Sequence, residues 1–231
     1  LSFFENEIVS ITGLIGSGKT ALASQIFGLN PDPNVTMTLN GNSYSPQTPE
    51  HAISAGVFMC PKDRASNAVV SEFDISNNLA LPFFKSHSRF SFIRKKSLTQ
   101  NARNSINELG IVCQSEMDSV TTLSGGNQQK VMVGRWLAED SSVLLLDEPF
   151  QGVDIKARRD IGHQIRSTSR QRATIIFVAE LDEALEIADR VIVLHEGNLV
   201  GDYQNKSKNI PKIVSSFSGS ANNLDSANYG T

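Results

Sequence analysis

The sequence predicts an α/β protein with a mostly parallel sheet, antiparallel hairpins and an inserted helical segment. In the carboxyl-terminal half, short continuous apolar runs such as Val143 to Leu146 and Thr174 to Val178 alternate with helical patterns. Strands that are apolar throughout are typical of parallel sheets covered by helices on both faces. The segment from about residue 72 to 140 is mainly helical and separates that half from a strand, loop and helix near the amino end. We therefore expect one α/β core interrupted by a helical subdomain.

The individual elements follow from apolar periodicity and from turn residues. Residues 97–109 carry apolar side chains at helical spacing, which predicts an amphipathic helix. Asn40-Gly41 is a residue pair typical of tight hairpin turns, and residues 195–198 form a second turn signal. In chain order the predicted elements are strand 7–12, helix 20–27, strand 35–39, helix 97–109, helix 127–138, strand 143–146, helix 155–170, strand 174–178, helix 181–188, strand 190–194 and strand 199–203.

Composition excludes several broad classes. The 231 residues suit one large domain, or one domain with a sizeable insertion. Apolar residues are 39%, charged residues 19% and the formal charge is -3, which argues against disorder and against general nucleic-acid binding. No stretch approaches the roughly 18 uninterrupted apolar residues of a membrane-spanning helix. The first residues carry acids where a signal peptide carries bases, so we expect a cytosolic chain. Cys60 and Cys113 are far apart and are predicted to be buried thiols.

Residues 13–20, GLIGSGKT, fit the pattern G-x-x-x-x-G-K-[ST] at every fixed position. Its glycines allow a tight turn whose N–H groups point inward, Lys19 can reach terminal phosphates, and Thr20 can bind Mg²⁺. The following helix adds the positive end of its dipole. A plain glycine turn is the alternative, which the strand before and the helix after disfavour. The predicted nucleotide-binding residues here are Gly13, Leu14, Ile15, Gly16, Ser17, Gly18, Lys19 and Thr20.

A second part of such a site is predicted at VLLLDEP, residues 143–149. A buried strand places Asp147 at its carboxyl end, where parallel sheets bind ligands and where a carboxylate can hold the Mg²⁺ hydration shell. Glu148 follows and is the predicted catalytic residue, because it can polarise a water against the γ-phosphate of ATP. Two acids in a solvated loop are the alternative, which the upstream phosphate loop disfavours.

LSGGNQQK, residues 123–130, resembles the signature sequence of ATP-binding cassette (ABC) ATPases. Ser124, Gly125 and Gly126 at a helix start can form a second anion-binding corner, and locally they also cap the helix. The order of phosphate loop, LSGG, DEP and then residues 152–154 resembles this family from residue 7 to 203. The NQQK extension, residues 78–82 and the GVD loop look most like the second cassette of bacterial monosaccharide importers.

The resemblance implies a P-loop NTPase fold of the ABC cassette type, with ATP and Mg²⁺ as ligands. It implies that each ATP lies between one cassette's phosphate loop and the other's LSGG, which adds Ser124, Gly125, Gly126 and Gln128 to the nucleotide-binding residues. The expected partners are a second cassette fused in tandem, an integral-membrane permease and, indirectly, a periplasmic or extracellular sugar-binding protein, with no nucleic acid. The expected location is peripheral, on the cytoplasmic face of the plasma membrane. The expected domains are 1–71 and 141–214 for the core, 72–140 for the helical subdomain with LSGG, and 215–231 for a mobile tail.

The sequence departs from the family pattern in three places. Ala179 occupies the position where active cassettes of the family carry a histidine that contacts the γ-phosphate, and none of the four histidines lies nearby in sequence. Lys62 aligns with a glutamine that contacts Mg²⁺, although an exposed lysine in a shifted register is an alternative. The aromatic residue that stacks on adenine would precede Leu1, so we expect the sequence to start inside a cassette. These departures predict a domain that binds Mg-ATP and hydrolyses it weakly at its own phosphate loop.

Three other functions are alternatives to this hypothesis. A fully active ATPase, in which Glu148 suffices, is one alternative, and a nucleotide-sensing module without a permease is another. ATPases of DNA repair also carry LSGG, but they need a long heptad-bearing coiled coil that is absent between Thr20 and Leu123. The basic segment 85–96 is predicted to be a solvated turn rather than a nucleic-acid face. The resemblance implies that a groove near Lys62, Phe83 and Phe84 receives a permease helix, while the transported sugar is left open.

Overall fold

A computed structural model describes residues 1–62, 69–84, 88–89, 92–93 and 95–218 of the chain. The strands are β1 (Ile8–Thr12), β2 (Met37–Leu39), β3 (Asn42–Tyr44), β4 (Val57–Cys60), β5 (Ser88–Arg89), β6 (Phe92–Ile93), β7 (Val143–Asp147), β8 (Ala173–Val178), β9 (Arg190–His195) and β10 (Asn198–Gln204). The helices are α1 (Lys19–Ile26), α2 (Pro49–Ser54), α3 (Ile75–Ala80), α4 (Lys95–Leu109), α5 (Gly125–Leu137), α6 (Ile155–Ser167), α7 (Leu181–Ile187) and α8 (Ile210–Phe217). The chain divides into two compact units: residues 1–59, 141–148 and 169–231 form unit 1, and residues 60–140 and 149–168 form unit 2.

The core of unit 1 is a sheet of six strands in the order β10, β9, β1, β8, β7, β4. Strand β1 is parallel to both β8 and β9, and β7 is parallel to β8. Strands β9 and β10 pair in antiparallel orientation. Every residue of β1 and β8 is buried, as the uninterrupted apolar runs predict. The α/β fold predicted from the sequence is confirmed.

Two hairpins in unit 1 are built on turns whose middle residues have positive φ. Asn40 and Gly41 have φ of 50° and 78° between β2 and β3, and Glu196 and Gly197 have φ of 48° and 77° between β9 and β10. Two consecutive positive φ values give a turn whose twist matches that of the flanking strands. Glutamate adopts the left-handed region less often than asparagine or glycine does. Glu196 is therefore a weaker sequence signal for a turn than Asn40 is.

Unit 2 is helical, and its core lies among α3, α4 and α5. The core side chains are almost completely buried and are Ile75, Leu79, Ala102, Leu109, Ile111, Val120, Leu123 and Val131. Gly134 of α5 fits closely here, because a Cβ at this position would lie 2.5 Å from Cδ1 of Leu109. The predicted amphipathic helix 97–109 is found as α4, which buries Ala102 and Leu109 in this core.

A buried polar network fixes the start of α3 against α5. The amide of Asn78 donates to the carbonyls of Val70, Phe73 and Asp74, and its oxygen accepts from the N–H of Val70 at 2.9 Å. Arg135 donates to the backbone oxygen of Asn78 at 2.6 Å and to its side-chain oxygen at 3.2 Å. Burial lowers the pKa of the Arg135 guanidinium to about 10. The Asn78 side chain therefore provides hydrogen-bond partners both for the backbone of residues 70–74 and for the buried Arg135 guanidinium.

The described structure adds elements that are missing from the list predicted from the sequence, among them α2, β4, α3, β5, β6 and α8. Helix α8 continues to Phe217, beyond Ser215 where the predicted tail begins, and residues 219–231 lie outside the described residues. Of the basic segment 85–96, residues 85–87, 90, 91 and 94 also lie outside them. Cys60 is buried and Cys113 is half-buried. In the described part of the chain, no helix combines the length and the hydropathy needed to cross a membrane.

Candidate functional site

The carboxyl ends of three neighbouring strands meet at one edge of the sheet in unit 1. Strand β8 lies between β1 and β7, with Thr12 opposite Val178 and Asp147 opposite Phe177. The residues that follow these strands are the phosphate loop after β1, Glu148 after β7 and Ala179 after β8. This is the edge at which parallel sheets bind ligands, because helix N-termini and loops converge there.

The phosphate loop spans the gap between β1 and α1 in a conformation that requires glycine. A Cβ on Gly13 would clash with the carbonyl oxygen of Leu194. Gly18 precedes α1 with φ of 94°, in the left-handed region that side chains disfavour. The N–H of Ser17 donates to the carbonyl of Leu14 at 3.0 Å, which closes the loop on itself. The glycines of GLIGSGKT therefore set the shape of this loop.

Some residues of the phosphate loop are exposed and others are buried. Leu14, Ile15 and Gly16 are exposed, whereas Ser17 and Lys19 are buried. The Lys19 ammonium donates to the carbonyl of Gly13, so it lies under the loop. The Ser17 hydroxyl is buried and has no hydrogen-bond partner among the described residues. A buried cation, an unsatisfied hydroxyl and a helix N-terminus around a glycine-rich turn fit a phosphate group.

Asp147 and Glu148 stand side by side but differ in conformation. Asp147 ends β7 and is 2% exposed. Glu148 is 8% exposed and has φ of 49°, in the left-handed region. Its N–H donates to the carbonyl of Phe177 at 2.8 Å, and its Oε2 accepts from the N–H of Ala179 at 3.2 Å. A non-glycine residue in this region is uncommon and often marks a functional site.

A carboxylate, a hydroxyl and a phosphate loop at one sheet edge are the donor set that a nucleotide-bound Mg²⁺ uses. Thr20 lies in the first turn of α1 and is exposed, so its hydroxyl is accessible to a ligand. Asp147 belongs to the same edge. The residues present therefore fit Mg²⁺, with Thr20 and Asp147 as the side chains that would hold it.

No histidine stands at the end of β8. Ala179 is half-buried there and precedes the N-terminus of α7. His51 and His163 are exposed on α2 and α6, and His195 ends β9. His87 lies outside the described residues. Among the described residues, the end of β8 contributes no histidine side chain to the edge of the sheet that carries Glu148.

The signature segment begins α5 in unit 2. Ser124 is the exposed N-cap residue, and its hydroxyl accepts from the backbone N–H of Asn127 at 3.5 Å and from its side-chain amide at 3.0 Å. Gly126 faces α6, because a Cβ there would lie 3.2 Å from Cβ of Ala157. Gln128 is turned back, and its amide donates to the carbonyls of Val120 and Leu123 at 3.3 and 3.2 Å. The corner is an N-capped helix start with exposed polar groups, which suits an anion.

Two residues that sequence reasoning did not assign anchor this helix within unit 2. Gln129 is 1% exposed and donates to the carbonyl of Pro149 at 2.9 Å. Lys130 donates to Asp160 at 2.6 Å and to the carbonyl of Gly110 at 3.0 Å. The polar residues Gln129 and Lys130 near the start of a helix are visible in the sequence. Their hydrogen-bond partners, however, lie 20 or 30 positions away along the chain. The signature helix is thus tied to the segment that follows DEP.

The region predicted to receive a permease helix also lies in unit 2. Lys62 is exposed and Phe84 is half-buried. Phe83 packs edge-on against Trp136 of α5, with ring centroids 5.8 Å apart and an angle of 83° between the planes. Phe83 and Phe84 are both half-buried, and Phe83 is the one whose ring contacts Trp136.

A sequence profile of the ABC transporter family matches residues 1–151. The chain belongs to the ABC transporter family. The match contains the phosphate loop, the LSGG corner, Asp147 and Glu148, which are the motifs on which the resemblance was based.

Curated relatives of this ABC chain are sugar-import proteins by name. It is 34% identical over 92% of its length to the ribose import ATP-binding protein RbsA 2 of Rubrobacter xylanophilus, and covers 41% of that protein. It is 35% identical over 90% of its length to the xylose import ATP-binding protein XylG of Thermoanaerobacter pseudethanolicus, covering 42% of it. With the arabinose import ATP-binding protein AraG of Pectobacterium atrosepticum the identity is 33%, over 93% of this chain and 43% of the relative. The chain thus spans less than half the length of these relatives.

Solved ABC cassettes share the fold. The cassette MJ0796, in a dimeric post-hydrolysis state bound to ADP and Pi, superposes with a TM-score of 0.74 at 20% identity, covering 90% of this chain and 89% of that one. A second dimeric structure of MJ0796 gives a TM-score of 0.74 at 19% identity. The predicted cassette fold is therefore confirmed.

Proposed function

We propose that this chain is a nucleotide-binding cassette that binds Mg-ATP at its phosphate loop and belongs to a bacterial importer of a monosaccharide. The observation that carries the proposal is the meeting of the phosphate loop, Asp147 and Glu148 at one edge of the sheet in unit 1. The names of the curated relatives support sugar import.

Each site residue has a role in this proposal that its surroundings support. The N–H groups of residues 13–18 and the Lys19 ammonium bind the phosphates, and Glu148 orients the water that attacks the γ-phosphate. Thr20 and Asp147 would hold Mg²⁺, which would supply positive charge next to the phosphate oxygens. The Ser124 corner, with Gly125, Gly126 and Gln128, serves the ATP of a second cassette.

The proposal includes weak hydrolysis at this chain's own phosphate loop. Ala179 has no imidazole to contact the γ-phosphate, and loss of one transition-state contact lowers a rate about 10²-fold to 10³-fold. Nucleotide binding does not depend on that contact. In the whole transporter we propose a second cassette fused in tandem, whose site performs most of the turnover, together with a permease and an external sugar-binding protein. The chain's place would be at the cytoplasmic face of the membrane.

The proposed arrangement of domains keeps the boundaries expected from the sequence. Residues 72–140 would form the helical subdomain that carries LSGG, and residues 1–71 and 141–214 the nucleotide-binding core, whereas the compact unit 2 also contains residues 60–71 and 149–168. The helical character of α3, α4 and α5 supports this division.

Steady-state Mg-ATP hydrolysis by the purified chain tests the proposal, with Glu148→Gln and Ala179→His measured beside it and ATP binding checked for each. We expect tight binding, slow turnover and a faster rate in Ala179→His. Fast turnover that only Glu148→Gln stops would support the second candidate, a fully active cassette. Absence of ATP binding would overturn both.

The division of labour between cassettes needs the full-length tandem protein. There, removal of the catalytic glutamate of the other cassette should abolish most hydrolysis while this half stays intact. Robust hydrolysis by that variant would contradict weak hydrolysis at this site. A nucleotide-sensing module with no permease is the remaining alternative, and co-purification with membrane subunits distinguishes it.

A further inference from the structure

The carboxylate of Glu148 is held by the main chain at the end of β8. The N–H of Ala179 donates to Oε2 of Glu148 at 3.2 Å. One step earlier along the same strand, the carbonyl of Phe177 accepts from the N–H of Glu148 at 2.8 Å. The backbone N–H and the side-chain carboxylate of Glu148 therefore each form a hydrogen bond with one of two successive peptide groups at the end of β8.

The surroundings of Glu148 limit its freedom further. The residue is 8% exposed, and its φ of 49° orients the side chain in a way that an ordinary strand or helix residue does not adopt. A hydrogen bond to a charged acceptor is stronger than one between neutral groups. One carboxylate oxygen is fixed by it, so Oε1 is the oxygen that we expect to accept from the attacking water.

We infer that the backbone N–H of Ala179 is a positioning group that holds the Glu148 carboxylate toward the reaction. The inference rests on the proposed role of Glu148 in ATP hydrolysis. An N–H is supplied by every residue except proline, so this function survives at a position whose side chain is a methyl group. Position 179 therefore has two separable contributions, an N–H that positions the carboxylate and a side chain that, as alanine, offers the γ-phosphate no hydrogen bond.

The direct test replaces the N–H at position 179 by an ester oxygen, by incorporating lactic acid in place of Ala179. Single-turnover hydrolysis of ATP, with protein in excess, should slow about tenfold to hundredfold, as expected for a lost hydrogen bond to a charged group. The dissociation constant for ATP should change less than twofold. In a Glu148→Gln background the same ester should have little further effect on the rate.

The matched control is a lactic acid ester at Ala188. Its N–H donates to the carbonyl of Ala184 at 3.1 Å at the end of α7, so one backbone hydrogen bond is lost in each case. Turnover should stay within about twofold. An equal loss of rate in both esters would show a general effect on the fold and would overturn the inference.

A second measurement does not depend on turnover. The ¹H and ¹⁵N shifts and the exchange rate of the Ala179 amide are compared between the unmodified chain and Glu148→Gly, since glycine accepts the positive φ. Faster exchange and a shifted resonance are expected. An unchanged Ala179 amide, or an ester at 179 that leaves Glu148-dependent turnover intact, overturns the inference. Turnover that does not depend on Glu148 at all instead overturns the proposed function.

Discussion

Lys19 is buried under the turn that it is expected to serve, with 8% of its surface exposed. Its ammonium donates to the carbonyl of Gly13, the first residue of the loop. A ligand phosphate placed within the loop would offer this cation a charged acceptor, which binds more strongly than a carbonyl. The binding free energy of ATP should therefore depend strongly on this one side chain.

We predict that Lys19→Met weakens ATP binding about 100-fold, corresponding to roughly 3 kcal/mol for a charge-assisted contact. Equilibrium binding of a fluorescent ATP analogue measures the change. Lys156→Met is the control, because Lys156 is an exposed residue of α6 and should leave the affinity unaltered. An affinity of Lys19→Met within threefold of the unmodified chain would contradict the role of this lysine.

Helix α3 depends on a single buried amide. Asn78 is completely buried and joins the loop of residues 70–74 to Arg135 of α5. Its replacement by alanine would remove the side-chain hydrogen bond to the buried Arg135 guanidinium, while the backbone one remains, and would leave several backbone groups of the loop without a partner. Such losses are among the few that make one substitution strongly destabilising.

We predict that Asn78→Ala lowers the free energy of unfolding by about 3 kcal/mol. Urea denaturation, followed by far-UV circular dichroism, measures it. Asn77→Ala provides the matched control, since the same residue type one position earlier is only half-buried and should change stability by less than about 0.5 kcal/mol. Equal stability of the two variants would show that the network contributes little.

A salt bridge on α4 makes the stability of unit 2 depend on pH. Arg103 donates to Glu116 at 3.0 Å, and this hydrogen bond lowers the pKa of the Glu116 carboxyl. A lowered folded-state pKa means that the stabilisation is present above the unfolded-state pKa and is lost as the pH falls through the folded-state pKa.

Arg103→Gln should therefore be less stable than the unmodified chain at neutral pH, and the difference should shrink as the solution is acidified below the ordinary pKa of glutamate. Urea midpoints measured from pH 7 down to pH 3 give the result. A difference that stays constant over this range would exclude the ion pair as its cause.

Phe83 and Phe84 bear on the molecule as a whole, because variants of these two residues test packing within the chain and contact with a partner separately. Both phenylalanines are half-buried, and the ring of Phe83 lies against Trp136. Exposed aromatic surface beside a packed helix is a frequent anchor for a partner.

In the proposed transporter, reconstituted in vesicles, Phe84→Ala should lower uptake of radiolabelled sugar severalfold while ATP binding stays unchanged, because one proposed anchor for the permease is lost. Ribose, xylose and arabinose are the probes. Phe83→Ala should instead lower the thermal stability of the chain, since it removes packing on Trp136. Normal uptake by Phe84→Ala would refute this surface as the permease contact.

The sequence by itself determined the α/β class, the order of the main strands and helices, and the motifs that carry the chemistry. Apolar runs and helical periodicity depend on neighbours within a few residues, so they can be read locally. The phosphate loop is likewise a local motif, since its glycines, lysine and threonine all lie within residues 13–20. The family followed from these motifs, and the match over residues 1–151 confirmed it.

Tertiary structure decided what depends on residues far apart in the chain. Helices α2 and α3 have six residues each, which is too few to give a clear helical periodicity, and helices of this length depend on tertiary packing for their stability. The bonds from Gln129 to Pro149 and from Arg135 to Asn78 join residues 20 and 57 positions apart. The N–H of Ala179 reaches Glu148 across 31 positions, because parallel pairing places the ends of β7 and β8 together. Sequence names the residues of this site, and strand register brings them within hydrogen-bonding distance.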